Sequence, residues 1–246
     1  MTPCDPVDWT CFSIHTEISG PVVGDYRDPG MLPWSGHAIY TVTGGSGTDP
    51  QHSDQALGLS VSRTDDEGEP RSEWTVLTMH GLIVDPFIVE DSILRLLDEL
   101  SADYDHFRVL FDGNDFHPEL MDMIDGGLGS RAVLIDRARV APAWRGMGGV
   151  GRLLISRILR LFADTAGVVA TNPFPIDLFA EWDTRTGLVK HPRFGDELAK
   201  VQRTWGSLGF QPYKDPIWVM DPAMSTHSRA VAELEKQLAA EPARSQ

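Results

Sequence analysis

Apolar and polar positions recur along this chain with two different periods, and each change of period marks an element. A period of two argues for a strand and one near 3.6 for a helix. The first half mostly follows the shorter period. Trp9 to Ile18 reads as a strand with Trp9, Cys11 and His15 on one face. Gly20 to Pro33, rich in Gly, Pro and Asp, reads as loop, and His37 to Thr43 as the next strand, closed by a Gly44 to Gly47 turn. Ala56 to Arg63 and Trp74 to Val84 form a predicted hairpin, joined by the polar stretch Thr64 to Arg71. Val89, Ile93, Leu96, Leu97 and Leu100 then fall on one helical face. Phe107 to Phe111 reads as a short strand, and Pro118 to Ile124 as a short helix with proline in its first turn.

The second half alternates strands with longer helices. Ala132 to Val140 is a predicted strand, stopped by Pro142, which has no N–H for the ladder. Gly146, Gly148, Gly149 and Gly151 follow, and then a helix with Val150, Leu153, Leu154, Ile158 and Leu161 on one face. Val168 to Asn172 is a short apolar strand. Glu197 to Leu208 is a helix with Leu198, Val201, Trp205 and Leu208 inward, closed by Gly209. Strands at Phe210 to Tyr213 and Ile217 to Asp221 come next, and Ser225 to Ala240 reads as a solvent-facing helix or frayed tail.

Charge narrows the partners. The formal net charge of −15 repels nucleic acid and anionic membrane; it could draw in a cationic acceptor such as an amine, against the alternative that the acidity serves only solubility. No segment approaches the ~20 apolar residues of a membrane span. The start, Met-Thr-Pro-Cys-Asp-Pro, lacks a signal peptide's basic and apolar regions, so Cys4 and Cys11 are expected as free thiols in a cytoplasmic protein. The histidines are scattered without zinc spacing. Asp112-Gly-Asn-Asp lacks the glycine and closing glutamate of a calcium loop, because His117 and Met123 stand there. No metal site is expected. Residues 131–160 reverse the overall sign, with seven arginines against a single acid, Asp136.

That basic island surrounds a loop of phosphate-binding type. Backbone N–H groups at a helix start have no intrahelical partners, the helix dipole is positive there, and Arg145 adds paired donors. Gly146-x-Gly148-x-x-Gly151 matches the dinucleotide fingerprint. However, Pro142-Ala-Trp-Arg separates it from its strand, and Val168 to Asn172 offers no acid for a ribose. Val140-x-Pro-x-x-Arg145-Gly-x-Gly148 resembles instead the pyrophosphate loop of the GNAT superfamily of N-acetyltransferases, with Val150 where the last small residue is expected. Trp205-Gly-Ser-Leu-Gly-Phe210 resembles that superfamily's Tyr-x-x-Leu-Gly-Phe ending. The resemblance covers about residues 131–221.

The resemblance implies a mixed α/β (α+β) fold: a mostly antiparallel sheet flanked by helices, with a splayed central strand pair. Its implied divisions are a strand-rich half over residues 1–130 (an elaborated sheet or a fused β unit), an acetyl-CoA-binding core over 131–222 and a helical tail over 223–246. It implies direct acetyl transfer from acetyl-CoA to an amine of a small molecule or protein. Arg139, Val140, Arg145, Gly146, Met147, Gly148, Gly149, Val150 and Gly151 would hold the cosubstrate. The Val140 N–H would polarise the thioester carbonyl. Asp136, on the central strand, is the candidate base, against the alternative of a structural ion pair with its arginine neighbours. Glu181, Asp183 and His191 fall in the segment 177–195, read as an acceptor-recognition loop or a plain surface insertion. A non-catalytic acyl-CoA-binding module and a nucleotide-binding α/β protein remain the alternatives, and oligomerisation is left open. One departure is visible: several strands precede the first helices, where the superfamily usually places two helices soon after its first strand.

Overall fold

The computed structural model describes residues 9–19, 28–43, 60–64, 70–124, 129–162, 164–181, 191–223 and 225–240. Ten strands are β1 (Phe12–Ile18), β2 (Met31–Thr43), β3 (Ser60–Thr64), β4 (Pro70–Val84), β5 (Phe111–Asp112), β6 (Asp115–Phe116), β7 (Arg131–Val140), β8 (Ala166–Thr171), β9 (Gln211–Lys214) and β10 (Ile217–Met220). The α-helices are α1 (Ile93–Leu100), α2 (Ala102–Asp105), α3 (Pro118–Met123), α4 (Val150–Arg160), α5 (Phe194–Gly206) and α6 (Ser225–Ala240).

Eight strands make one sheet in the order β1-β2-β4-β7-β8-β10-β9, with β3 also on β4; β5 and β6 form a separate small hairpin. All neighbours in the large sheet are antiparallel except β7 and β8, which run parallel and are joined through α4. Strands from both halves of the chain therefore share one sheet. β4 is the long spine: β2 pairs along its whole length, while on its other edge β3 takes Pro70 to Trp74 and β7 takes Leu77 to Val84.

Helices bury both faces, which is why Ala132 to Ile135 of β7, β8 and β10 are nearly continuous in buried residues. One core cluster joins Trp34, Tyr40, Met79, Ile135 and Trp144 to Leu154 and Ile158 of α4 and to Trp205, Leu208 and Phe210. The other joins Leu82, Leu134 and Val168 to Ile93 and Leu97 of α1, Phe107 and Leu110, and Leu120 of α3.

The elements from β7 to β10 follow the predicted order, with shifts of a few residues. Corrections fall mainly in the first half. Trp9–Cys11 is a 3-10 turn, and only Phe12–Ile18 is strand. β2 begins at Met31, six residues before the predicted His37, because Met31 and Trp34 are core residues on opposite faces. The helix predicted from Val89 begins at Ile93, where the Ser92 side chain caps the Arg95 N–H. His106–Leu110 is 3-10 helix, not strand. Its Phe107 and Leu110 are three apart and both face the same core, a spacing that a 3-10 turn brings to one side and a strand would split between its two faces. The Asp112-Gly-Asn-Asp stretch is the tight turn between β5 and β6, with Gly113 at φ 63°. α6 is no frayed tail, since His227 and Leu234 are buried. The Gly44 to Gly47 turn, Cys4 and Asp183 lie outside the described residues.

Candidate functional site

The parallel pair β7–β8 parts halfway along. The register runs from Arg131 opposite Ala166 to Ile135 opposite Thr171 and stops there. β7 continues for five residues to Val140 with only β4 beside it, while the chain after Thr171 turns away through 172–175. A bulge sits at the parting point: His80 faces Arg137 and Gly81 faces Ile135, so Asp136 is the extra, unmatched residue.

The ladder decides which backbone groups are free. The Ala141 N–H donates to the Val76 carbonyl at 2.8 Å. In an antiparallel ladder alternate residues bond to the same neighbour, so Arg139 turns its backbone to β4, and Ala138 and Val140 turn theirs to the open edge. The Val140 N–H is thus left off the β4 ladder. The Arg139 backbone serves the sheet, and its side-chain Nε lies 3.8 Å from Asp177.

A cavity of about 300 Å³ fills the space between the parted strands. Asp136, Ala138, Thr171, Asn172, Val201 and Trp205 line it, and Arg145, Asp177, Arg193 and Glu197 also contribute. Trp205 is buried, its ring 4.9 Å from Phe210 and edge-on, a packing role that matches its predicted inward face.

The glycine loop follows Arg145, which lines the same cleft, and is anchored by a residue that sequence reasoning passed over. Pro142–Trp144 is a 3-10 turn that buries Trp144 against Tyr40, at 5.0 Å between ring centres, and against Phe12, at 5.4 Å. A tryptophan between proline and arginine in an otherwise small-residue loop was the available signal. Gly146, Gly148 and Gly149 all have positive φ, and Gly149, at φ 118°, is the N-cap of α4 and brings no side chain to it. The Val150 N–H closes back on Met147 and the Leu153 N–H on Gly149. Between them, the amides of Gly151 and Arg152 belong to the first turn and have no intrahelical acceptor. Space is open beside Gly146, whereas Gly151 is a packing glycine: a Cβ there would lie 2.8 Å from Val140 Cγ2. Arg152 and Ser207, joined by a 3.2 Å hydrogen bond, line a second hollow of about 290 Å³ with Lys200, Arg203 and Thr204.

Arg145 does not stand alone in the loop. Its guanidinium meets the Asp177 carboxylate through two contacts, 2.8 Å and 3.0 Å, and its Nε donates to the Val140 carbonyl at 2.8 Å. Asp177 opens the segment read as a recognition loop, but its pairing with Arg145 was not expected; it follows β8 by six residues and is brought over by residues 172–175.

Asp136 is half-buried, and burial pushes its carboxyl above the ordinary range; Asp103 adds to the rise, while Arg137 and His80 oppose it. Arg137 Nε lies 3.8 Å from Asp136, a loose contact, and its Nη2 is 3.7 Å from Asp103. Burial, and then the Asp136 carboxylate, hold the Tyr104 phenol far above its ordinary value, so it stays a neutral hydroxyl. Farther along this sheet face, His15 pairs across strands with His37, whose ring meets that of His80 at 6.1 Å. Of the candidate residues, Asp136 and Arg145 line the cleft, whereas Val140, the residues 146–151 and His191 lie outside its lining.

Among the described residues no group of three or more His, Cys, Asp or Glu is arranged to hold a metal ion, and no helix is long and apolar enough to cross a membrane. No family model matches the chain, and no curated protein or solved structure is found to match it either.

Proposed function

We propose that this protein is a GNAT-type acyltransferase that moves an acetyl group from acetyl-CoA directly to an amine. The observation that carries the reading is the parting of β7 from β8 after Ile135 and Thr171, which frees the far edge of β7 beside a cavity lined by Asp136 and Ala138 of that strand and by Arg145 at the start of the glycine loop. The order strand, loop, helix, strand, helix, strand, strand from β7 to β10 supports it. In this reading the pantetheine arm lies along the free edge of β7. The diphosphate rests on the first-turn amides of α4. The hollow lined by Arg152, Lys200 and Arg203 receives the phosphomonoester of the CoA ribose, a group that NAD lacks.

The amine must arrive neutral. Its lone pair attacks the thioester carbonyl, a C–N bond forms, the C–S bond breaks, and the ammonium proton leaves to a base. Asp136 takes that role: its raised pKa makes it a better proton acceptor than an exposed aspartate, and it borders the cleft. The Val140 N–H stabilises the oxyanion. The CoA thiol has a pKa near ~8.5, so water suffices to reprotonate the thiolate. Trp205 cannot do so, because an indole N–H donates hydrogen bonds without releasing its proton near neutral pH.

The dinucleotide alternative is disfavoured by a specific observation. The Pro142–Trp144 turn separates β7 from the glycines, so the strand does not feed the loop directly as that fingerprint requires. Thermal melting with acetyl-CoA, CoA and NAD tests the reading. At a hundred times the dissociation constant, acetyl-CoA should stabilise the fold by about 2.7 kcal/mol. A shift with NAD and none with CoA would overturn it. Release of free CoA in the presence of an amine panel separates an enzyme from a binding module.

A further inference from the structure

The two lips of the cleft are tied together. One lip is the loop after β7, which carries Arg145; the other is the segment after β8, which carries Asp177. Their side chains meet across the mouth in a paired contact at 2.8 Å and 3.0 Å, and Arg139 approaches the same carboxylate at 3.8 Å. Both Arg145 and Asp177 line the cavity behind them. The Asp177 carboxylate therefore occupies the donors that an incoming phosphate would use.

We infer that Asp177 is an internal counter-anion that latches the cleft and is exchanged for the diphosphate of the ligand. The inference rests on the proposed cofactor reading and concerns the regulation of that same site. When a diphosphate reaches the first turn of α4, its oxygens replace the carboxylate on Arg145. The guanidinium keeps two acceptors throughout, so the exchange leaves the arginine paired. The released carboxylate is repelled by the anion that displaced it. The segment 172–181 then moves off the mouth, and Asn172 and Leu178, which line the cavity from that side, move with it. Occupation of the diphosphate site thus widens the place where the acceptor must reach the thioester. A ligand without a diphosphate cannot trigger the change, so the latch also acts as a selectivity filter.

Removing any acid near a polyanion tightens binding by simple field effects, so the test must isolate the exchange at Arg145. Calorimetric binding of CoA and of inorganic pyrophosphate is compared in the wild type, Asp177→Asn, Arg145→Ala and the double variant. Asp177 and Arg145 are both partly exposed, so the variants should fold. In the wild-type background Asp177→Asn should tighten both probes by roughly two- to fivefold, the scale of an exposed ion pair. In the Arg145→Ala background the same change should gain clearly less, because the partner it frees is gone. Equal gains in the two backgrounds, or no gain in the wild type, would overturn the latch. If pyrophosphate follows this pattern and CoA binds none of the four proteins, the latch stands and the acyl-CoA reading falls. If neither probe binds any of them, both fall.

Discussion

Leu234 of α6 lies directly over the backbone of Gly149. A Cβ built on Gly149 would sit 2.5 Å from Leu234 Cδ1. The last helix thus closes one side of the loop that begins α4, and the Arg157–Glu235 contact at 2.5 Å and the bond between His227 Nδ1 and the Leu208 carbonyl at 2.8 Å hold it there. Gly149→Ala meets two obstacles, the positive φ and the leucine. It should cost about 1–3 kcal/mol for the backbone alone. Leu234→Ala should cost about 2–5 kcal/mol as a buried truncation. Urea denaturation of the double variant should show a loss smaller than the two summed, because the shortened side chain makes room for the new methyl. Strict additivity would mean that the two residues do not meet.

Trp205 separates packing from chemistry. It is buried against Phe210 and also borders the cleft. Trp205→Phe should lower stability by roughly 0.5–3 kcal/mol. It should leave turnover within a few-fold, because the indole is not the acid that reprotonates the thiolate. A hundredfold loss of turnover in a folded variant that still binds CoA would assign the indole a catalytic role.

The contrast between Trp144 and Asp177 explains what could be read from the sequence. Strands and helices from β7 to β10 have apolar periods set by burial on one face or two, so their order was legible. The glycine loop was legible too, because positive φ admits few other residues. His106–Leu110 was misread because a run of five residues with apolar groups at Phe107, Val109 and Leu110 suits a strand or a turn equally. Trp144 stood in plain view in the loop, but its anchoring contacts with Phe12 and Tyr40 come from strands more than a hundred residues earlier. Asp177 could not be found, since its partner Arg145 is 32 residues away and only the parting of β7 from β8 brings the two together. The bulge at Asp136 was equally hidden, because it is a property of the register with β4 rather than of any local pattern.

His37 makes folding sensitive to mild acid. Its pKa is lowered from the ordinary 6.5 by burial, then by His80 and His15, with Glu17 opposing. As pH falls, the unfolded chain takes up this proton before the folded one does. Its contribution is therefore intact above the ordinary value and is lost as pH drops through 6.5 toward the lowered folded value. His37→Gln cannot be protonated and should flatten the decline in urea midpoint across that window. An unchanged slope would place the acid sensitivity elsewhere, with His15 and His80 the next residues to replace.

Asp136 carries the opposite sign and bears on the chemistry. Its folded pKa lies above the ordinary 3.8, chiefly through burial. Between the two values the folded protein holds a proton that the unfolded chain has released. The stabilising contribution is therefore complete below 3.8 and lost as pH rises through the folded value. Asp136→Asn is neutral throughout, so its stability relative to wild type should improve as pH rises from 3.8 through the folded value. If Asp136 is also the base, the same variant should lose about 10²–10⁴-fold in turnover, and the acidic limb of the pH–rate profile should vanish. The two readouts separate the rival roles of this residue. A partner held only by Arg137 would change stability and leave the pH–rate limb in place, since nothing in the reaction would await its deprotonation. A base would remove the limb even where the variant is the more stable protein. Higher stability with lower activity is what a carboxylate held in a half-buried bulge for its chemistry should yield, because the fold bears the cost of burying the charge that the reaction uses.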